Sequence, residues 1–175
     1  MTAQLAEAPF LQSRGLVVWQ GPCLEEWLDY NGHMNETYYL LAMSQGSDRF
    51  MELVGCDAAY REAGLGTLYT LETHLRYFAE VLRGEVLTVT TQLVDRDTKR
   101  LRLYSQVWRA GEGAEGLAEN PAAAAEFLLL HVAGAPPRSA PFAPVLEAGL
   151  EALEGLQAGM ARPEDTGRGI VLGRR

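Results

Sequence analysis

Cysteine is scarce in this chain: Cys23 and Cys56 are the only two in 175 residues. Disulfide frameworks belong to small secreted domains, so both are expected as buried, reduced thiols in a cytoplasmic protein. Positive charge is also thin. Lys and Arg number 15 against 23 Asp and Glu, a net charge of -8, which argues against a nucleic-acid partner because phosphate binding needs a concentrated basic surface. No apolar run approaches the roughly 20 residues that span a bilayer. The first residues, MTAQLAEAPFLQSRG, lack the basic start and continuous apolar stretch of a signal peptide. No membrane partner is therefore expected. The three histidines, His33, His74 and His131, share no ligand-like local spacing, so no metal site is expected.

What is present is an ordinary globular composition, 47% apolar and 22% charged, long enough for one domain with a sizeable core. Residues 16–24, LVVWQGPCL, read as extended, with Gly21-Pro22 as a break or bulge. From Tyr38 the pattern is helical: Tyr39, Met43, Gly46, Phe50 and Leu53 recur at steps of three and four, and Gly55 ends the run. A glycine in mid-helix costs about 1 kcal/mol, and close approach of a packed sheet is one reason to tolerate it. Residues 67–78 alternate, with Tyr69, Leu71, Thr73, Leu75 and Tyr77 on one face and Thr70, Glu72, His74 and Arg76 on the other. Further strands are expected at 85–94 and 100–108, joined by a hairpin at 95–99.

Residues 111–121 read as a mobile Gly- and Glu-rich loop. AAAAEFLLLHV, 122–132, fits helix or strand; its apolar density after an antiparallel run favours a central strand. A short amphipathic helix is expected at 145–160 and a flexible tail beyond it. The expected division is thus a domain over 1–144, then a C-terminal helix and tail over 145–175. One early helix followed by consecutive strands implies an α+β fold, the helix lying on an antiparallel sheet.

The densest polar chemistry is WLDYNGHMNETYYL, residues 27–40. Asp29, Asn31 and Asn35 are each routine in turns and caps, and Gly32 is a routine positive-φ residue. Together they stand where a helix N-terminus offers unpaired N–H groups and partial positive charge to a carbonyl oxygen. A carboxylate just upstream can act as nucleophile or as base for water, and an imidazole beside it can orient or shuttle a proton. These are the parts for hydrolysis of an activated acyl group.

DYNGHMN resembles the active-site segment of hotdog-fold thioesterases, and the chain is most similar to betainyl-CoA thioesterases within the 4-hydroxybenzoyl-CoA thioesterase-like superfamily. The resemblance extends in order over YTLETHLRYFAEV (69–81), TQLVDRDTKRLRLY (91–104) and AEFLLLHV (125–132). It implies a five-stranded antiparallel sheet wrapped around a long central helix, acyl-CoA hydrolysis with neither metal nor bound cofactor, and a homodimer or dimer of dimers with sites at the subunit interface. Carried onto these positions, Asp29 is the catalytic carboxylate and Asn31 and His33 assist it. Backbone N–H groups near Asn35 and Glu36 receive the thioester carbonyl. Arg102 and Ser105 stand where the betainyl type has histidines, and the 111–121 loop is longer than the family's.

A quaternary ammonium acyl group needs a negative charge or an aromatic cage. Glu72, projecting across the dimer interface into the pocket with Trp27, Tyr30 or Tyr69, is one source; a solvated strand face explains Glu72 and His74 as well. Lys99, Arg100 and Arg102 follow a hairpin tip, where they can meet coenzyme A phosphates or simply pair with Asp95 and Asp97. His131, inside LLLHVA, reads as a packed strand residue with one satisfied nitrogen.

Overall fold

The computed structural model describes residues 3–170. A short helix α1 (Ala3–Glu7), a two-residue strand β1 (Phe10–Leu11) and β2 (Gly15–Pro22) lead through a 3-10 turn at Glu25–Trp27 into the long helix α2 (Glu36–Leu53). After α3 (Ala58–Glu62) come β3 (Thr67–Tyr77), β4 (Val86–Arg96), β5 (Arg100–Arg109), β6 (Ala123–Ala133), β7 (Arg138–Ser139) and α4 (Pro144–Leu156). The strands form one antiparallel sheet in the order β1-β2-β4-β5-β6-β3, with β7 on β6. The five expected strands are its long members; β1 and β7 add two residues each at its margins.

One face of α2 is buried against this sheet. Tyr39, Met43, Phe50 and Leu53 share a single core with Leu87 and Val89 of β4, Leu101, Leu103 and Val107 of β5, and Phe127 and Leu129 of β6. Helical spacing of three and four meets strand spacing of two, so both elements turn one apolar side inward. The helix starts at Glu36, ahead of the apolar periodicity, because the Asn35 cap and not the apolar spacing sets its first turn. Gly46 lies where α2 crosses the sheet: a Cβ there would stand 2.7 Å from Val18 Cγ2 and 3.3 Å from Val89 Cγ1.

Two strand expectations are corrected. Gly21 and Pro22 stay paired, with Leu87 and Val86; the irregularity of β2 falls between Val17 and Trp19, which brings Val18 against Gly46. The alternation of β3 is also interrupted, by a register shift between Thr70 and Glu72. The extra residue, Leu71, reverses which side faces the helix. Thr70 and Thr73 therefore both border α2, while Glu72 and His74 turn to the opposite face with Arg102 and Glu126.

The C-terminal part joins the same body. Leu146, Leu150 and Leu153 of α4 are buried in the common core. The segment expected as a free tail folds back over the outer face of the sheet: Asp165 accepts from Arg76 and Tyr104, and the Gly167 N–H donates to Glu126. Residues 171–175 of that expectation lie outside the described residues. The 111–121 loop, expected as mobile, is tied down by Arg14, which donates to the Ala118 carbonyl at 3.0 Å and lies over the Trp108 ring. His131 uses both ring nitrogens rather than one, with the Tyr60 hydroxyl at 2.8 Å and the Ala140 carbonyl at 2.9 Å. Among the described residues no helix is long and apolar enough to cross a membrane.

Candidate active site

The segment between the 3-10 turn and α2 is a small closed loop. Leu28 and Met34 bridge its ends, the Asp29 N–H donates to the His33 carbonyl at 2.8 Å, and the Gly32 N–H donates back to Asp29 at 3.0 Å. Gly32 takes φ +79°, the left-handed conformation that such a tight reversal requires and that other residues adopt at a cost. The loop is fastened from two sides. Met34 N–H donates to the Val81 carbonyl and His33 bridges Leu82, while the Trp27 ring stacks on Tyr38 of the first helical turn at 5.3 Å.

This closure fixes Asp29. Its Oδ1 accepts from the Asn31 N–H at 2.8 Å and the His33 N–H at 3.4 Å, and its Oδ2 from the Asn31 side-chain amide at 3.4 Å. Desolvation pushes the carboxyl up, but the two backbone donors, the Asn31 amide and the neighbouring imidazole together outweigh it and hold the group below its ordinary 3.8. The side chain is thus an oriented carboxylate at neutral pH. Because the folded value is the depressed one, the loop's share of stability is present above the ordinary value and is lost as pH falls through the folded one. Asn31→Ala removes one donor. In carbon NMR titrations the Asp29 carboxyl is expected below 3.8 in the native protein and higher in the variant; an unmoved value would remove Asn31 from this role.

Asn35 and Glu36 complete the geometry. The Asn35 side chain accepts from the Thr37 N–H at 3.0 Å and the Thr37 hydroxyl at 2.8 Å, as an N-cap does. Its own N–H donates to the Trp27 carbonyl at 2.8 Å and so cannot serve a substrate. Of the two amides expected to meet a carbonyl oxygen, the Glu36 N–H is the one left over: it has no acceptor among the described residues. It lies at the positive end of the α2 dipole. One short segment thus carries an oriented carboxylate, Asp29, and seven residues on a helix-terminal N–H, that of Glu36, with no acceptor among the described residues.

Not every candidate joins this group. Tyr30 sits at the loop tip, 97% exposed. Glu72 faces away from α2, in a cleft of about 310 Å³ with His74, Arg102 and Glu126, so the expected cage of Glu72 with Trp27, Tyr30 or Tyr69 does not form within one chain. The bulge at Leu71, invisible in the alternation, is the reason. Arg100 is engaged by Asp97 and Arg102 by Asp95 and Glu126; Lys99 makes no side-chain ion pair among the described residues. Both Lys99 and Arg100 lie at the sheet end where β3 begins and β6 finishes, whereas α2 starts at the other end, beside Tyr77. Neither thiol is a nucleophile: burial raises Cys56 to about 11 and raises Cys23 as well.

Sequence reasoning missed Glu80, whose carboxylate stands 3.3 Å from His33 Nε2, and the Trp19–Trp27–Tyr38 stack. Glu80 lies far along the chain from His33, and no spacing rule links them. The aromatic stack joins a strand, a turn and a helix through Trp19, Trp27 and Tyr38, which no local spacing rule connects.

Comparison with known proteins places the chain in a family. Residues 23–150 match the family model of the thioesterase-like superfamily. The chain is 39% identical over 160 residues to the betainyl-CoA thioesterase of Pseudomonas aeruginosa, covering 91% of this chain and 97% of that protein. It is also 39% identical over 145 residues to the L-carnitine dehydrogenase/betainyl-CoA thioesterase of Ruegeria pomeroyi, of which the match takes up 28%. Among solved structures, a candidate thioesterase of Pseudomonas putida KT2440 superposes with a TM-score of 0.78 at 36% identity, covering 95% of this chain and 99% of that one. A Staphylococcus aureus protein in complex with CoA gives a TM-score of 0.79 at 25% identity, covering 94% and 100%. On these grounds the chain belongs to the thioesterase-like superfamily of acyl-CoA thioesterases.

Proposed function

We propose that the protein hydrolyses betainyl-CoA to betaine and free CoA. The observation that carries the chemistry is the Asp29 carboxylate, pinned by the Asn31 and His33 N–H groups in the loop that leads into α2. Water, giving its proton to Asp29, or Asp29 itself attacks the thioester carbonyl; the developing oxyanion is met by the Glu36 amide, and the carbon–sulfur bond breaks as the CoA thiolate leaves and takes up a proton that derives from water. On the covalent route a water then cleaves the acyl–Asp29 anhydride and restores the carboxylate. Asn31 holds the carboxylate, and His33, backed by Glu80, carries protons at its edge. The acyl preference is supported by the near full-length similarity to the Pseudomonas aeruginosa betainyl-CoA thioesterase. The buried thiols suit a cytoplasmic location.

The working unit in this reading is a homodimer, which can pair further into a dimer of dimers. The 11-residue strand β3 hydrogen-bonds β6 on one side and lies at the sheet margin, with Tyr69, Leu71, Tyr77 and Phe78 about half exposed. A long apolar edge of this kind calls for a partner. Two-fold pairing of β3 with its copy would carry Lys99, which has no side-chain ion pair among the described residues, toward the neighbouring Asp29 loop to meet CoA phosphates.

The test is free-thiol release by the wild-type protein from betainyl-CoA and from its uncharged isostere, 3,3-dimethylbutanoyl-CoA, beside other short, medium and aryl esters. Betainyl-CoA is expected to give the highest kcat/KM. Preference for a neutral ester would overturn the acyl assignment, and release from none would overturn the hydrolase reading.

A further inference from the structure

We propose that Asp48 of one subunit is the counter-charge for the cationic acyl group bound at the partner's Asp29. This deepens the betainyl-CoA dimer reading above and rests on it.

Between α2 and β3 runs a groove of about 260 Å³, lined by Ser44, Ser47, Asp48, Thr70 and Thr73 over apolar walls that include Phe127. Asp48 is the only charged group lining it. Its carboxylate makes no hydrogen bond or ion pair among the described residues, and the adjacent Arg49 is already engaged by Glu52 at 2.8 Å. A trimethylammonium group donates no hydrogen bonds. It is held by a carboxylate at contact distance and by apolar surface for its methyl groups, and this groove provides both.

Asp48 cannot serve the Asp29 of its own chain. The rise of 1.5 Å per residue places it roughly 20 Å along α2 from the Asn35 cap, several times the reach of a betainyl group. Symmetry removes that distance. The start of α2 lies at the Tyr77 end of β3, where the Tyr77 hydroxyl donates to the Glu36 carbonyl at 3.1 Å. Asp48 lies toward the other end, in the groove with Leu68 and Thr70. When two β3 edges pair antiparallel about a dyad near the strand centre, each Tyr77 end meets the opposite strand's beginning. The groove holding Asp48 then faces the partner's Asp29.

The experiment uses Asp48→Asn, an exposed and shape-conserving change, and the ratio of kcat/KM for betainyl-CoA over 3,3-dimethylbutanoyl-CoA. The ratio is expected to fall on the order of tenfold to a hundredfold and to recover in Asp48→Glu. A ratio within twofold of wild type overturns the proposal. Placement across the dimer is read separately, by unfolding and refolding Asp29→Asn and Asp48→Asn chains together. In the mixed dimer, one site has both intact aspartates only if they come from different chains. Betainyl-CoA hydrolysis above that of either variant alone is therefore expected, and no gain overturns the arrangement. If wild type itself shows no preference for betainyl-CoA over the isostere, the substrate assignment fails before any variant is made, and this proposal falls with it.

Discussion

Asp29→Asn is expected to lower kcat for thioester hydrolysis by roughly 10³-fold or more, the range associated with loss of a positioned base or nucleophile. The substitution is nearly isosteric. Its remaining oxygen can keep the bonds from the Asn31 and His33 N–H groups, so loop and helix start are preserved while the proton acceptor is lost. Free-thiol release measures the effect, and circular dichroism with thermal melting checks that the fold is intact. Near-normal turnover by a folded variant would remove Asp29 from catalysis. A companion measurement separates the two routes open to it: in a single turnover in ¹⁸O-water, label in the Asp29 carboxylate identifies a covalent acyl intermediate, and its absence there identifies a base acting on water.

Gly46→Leu is expected to destabilise the protein although it improves helix propensity. Replacing a mid-helix glycine by leucine gains nearly 1 kcal/mol in an isolated helix. Here the first added carbon would already lie 2.7 Å from Val18 Cγ2 and 3.3 Å from Val89 Cγ1, with the rest of the side chain still to place. Overpacking of a filled core costs about 1–3 kcal/mol and sometimes more, and α2 can relieve it only by lifting from the sheet that Phe50 and Met43 hold it against. A net loss of about 1–2 kcal/mol lowers Tm by roughly 2–8 °C in a chain of this size. Thermal melting measures it, with the neighbouring exposed Gln45→Ala as a control expected within about 0.5 kcal/mol of wild type. A Gly46→Leu protein as stable as wild type would mean that the crossing is looser than the geometry indicates.

Much of the architecture was legible because its signals are local. The spacing of Tyr39, Met43, Phe50 and Leu53 names the buried face of α2, and Leu87, Val89, Leu101 and Leu103 name the inner faces of β4 and β5. The same holds for the heart of the site. Asp29, Asn31 and His33 contact one another across four residues or fewer, and Asn35 caps the helix two residues on, so the chain order already brings them together. The features that were misread are those that a single strand's pattern does not encode. The Leu71 bulge depends on how β3 registers against β6. The position of Glu72 follows from that bulge, and the Arg76–Asp165 and Gly167–Glu126 contacts join segments far apart in the chain.

Composition, periodicity and one polar heptapeptide therefore determined the class of fold and named the candidate site, because helix periods, strand alternation and caps are properties of neighbouring residues. Tertiary structure alone decided the rest: that Asn35 spends its amide on Trp27 and leaves Glu36 free, that Glu80 reaches His33, and that Asp48 rather than Glu72 lines a groove beside α2. Each of these depends on which distant surfaces meet, and a one-residue shift in strand register is enough to exchange them.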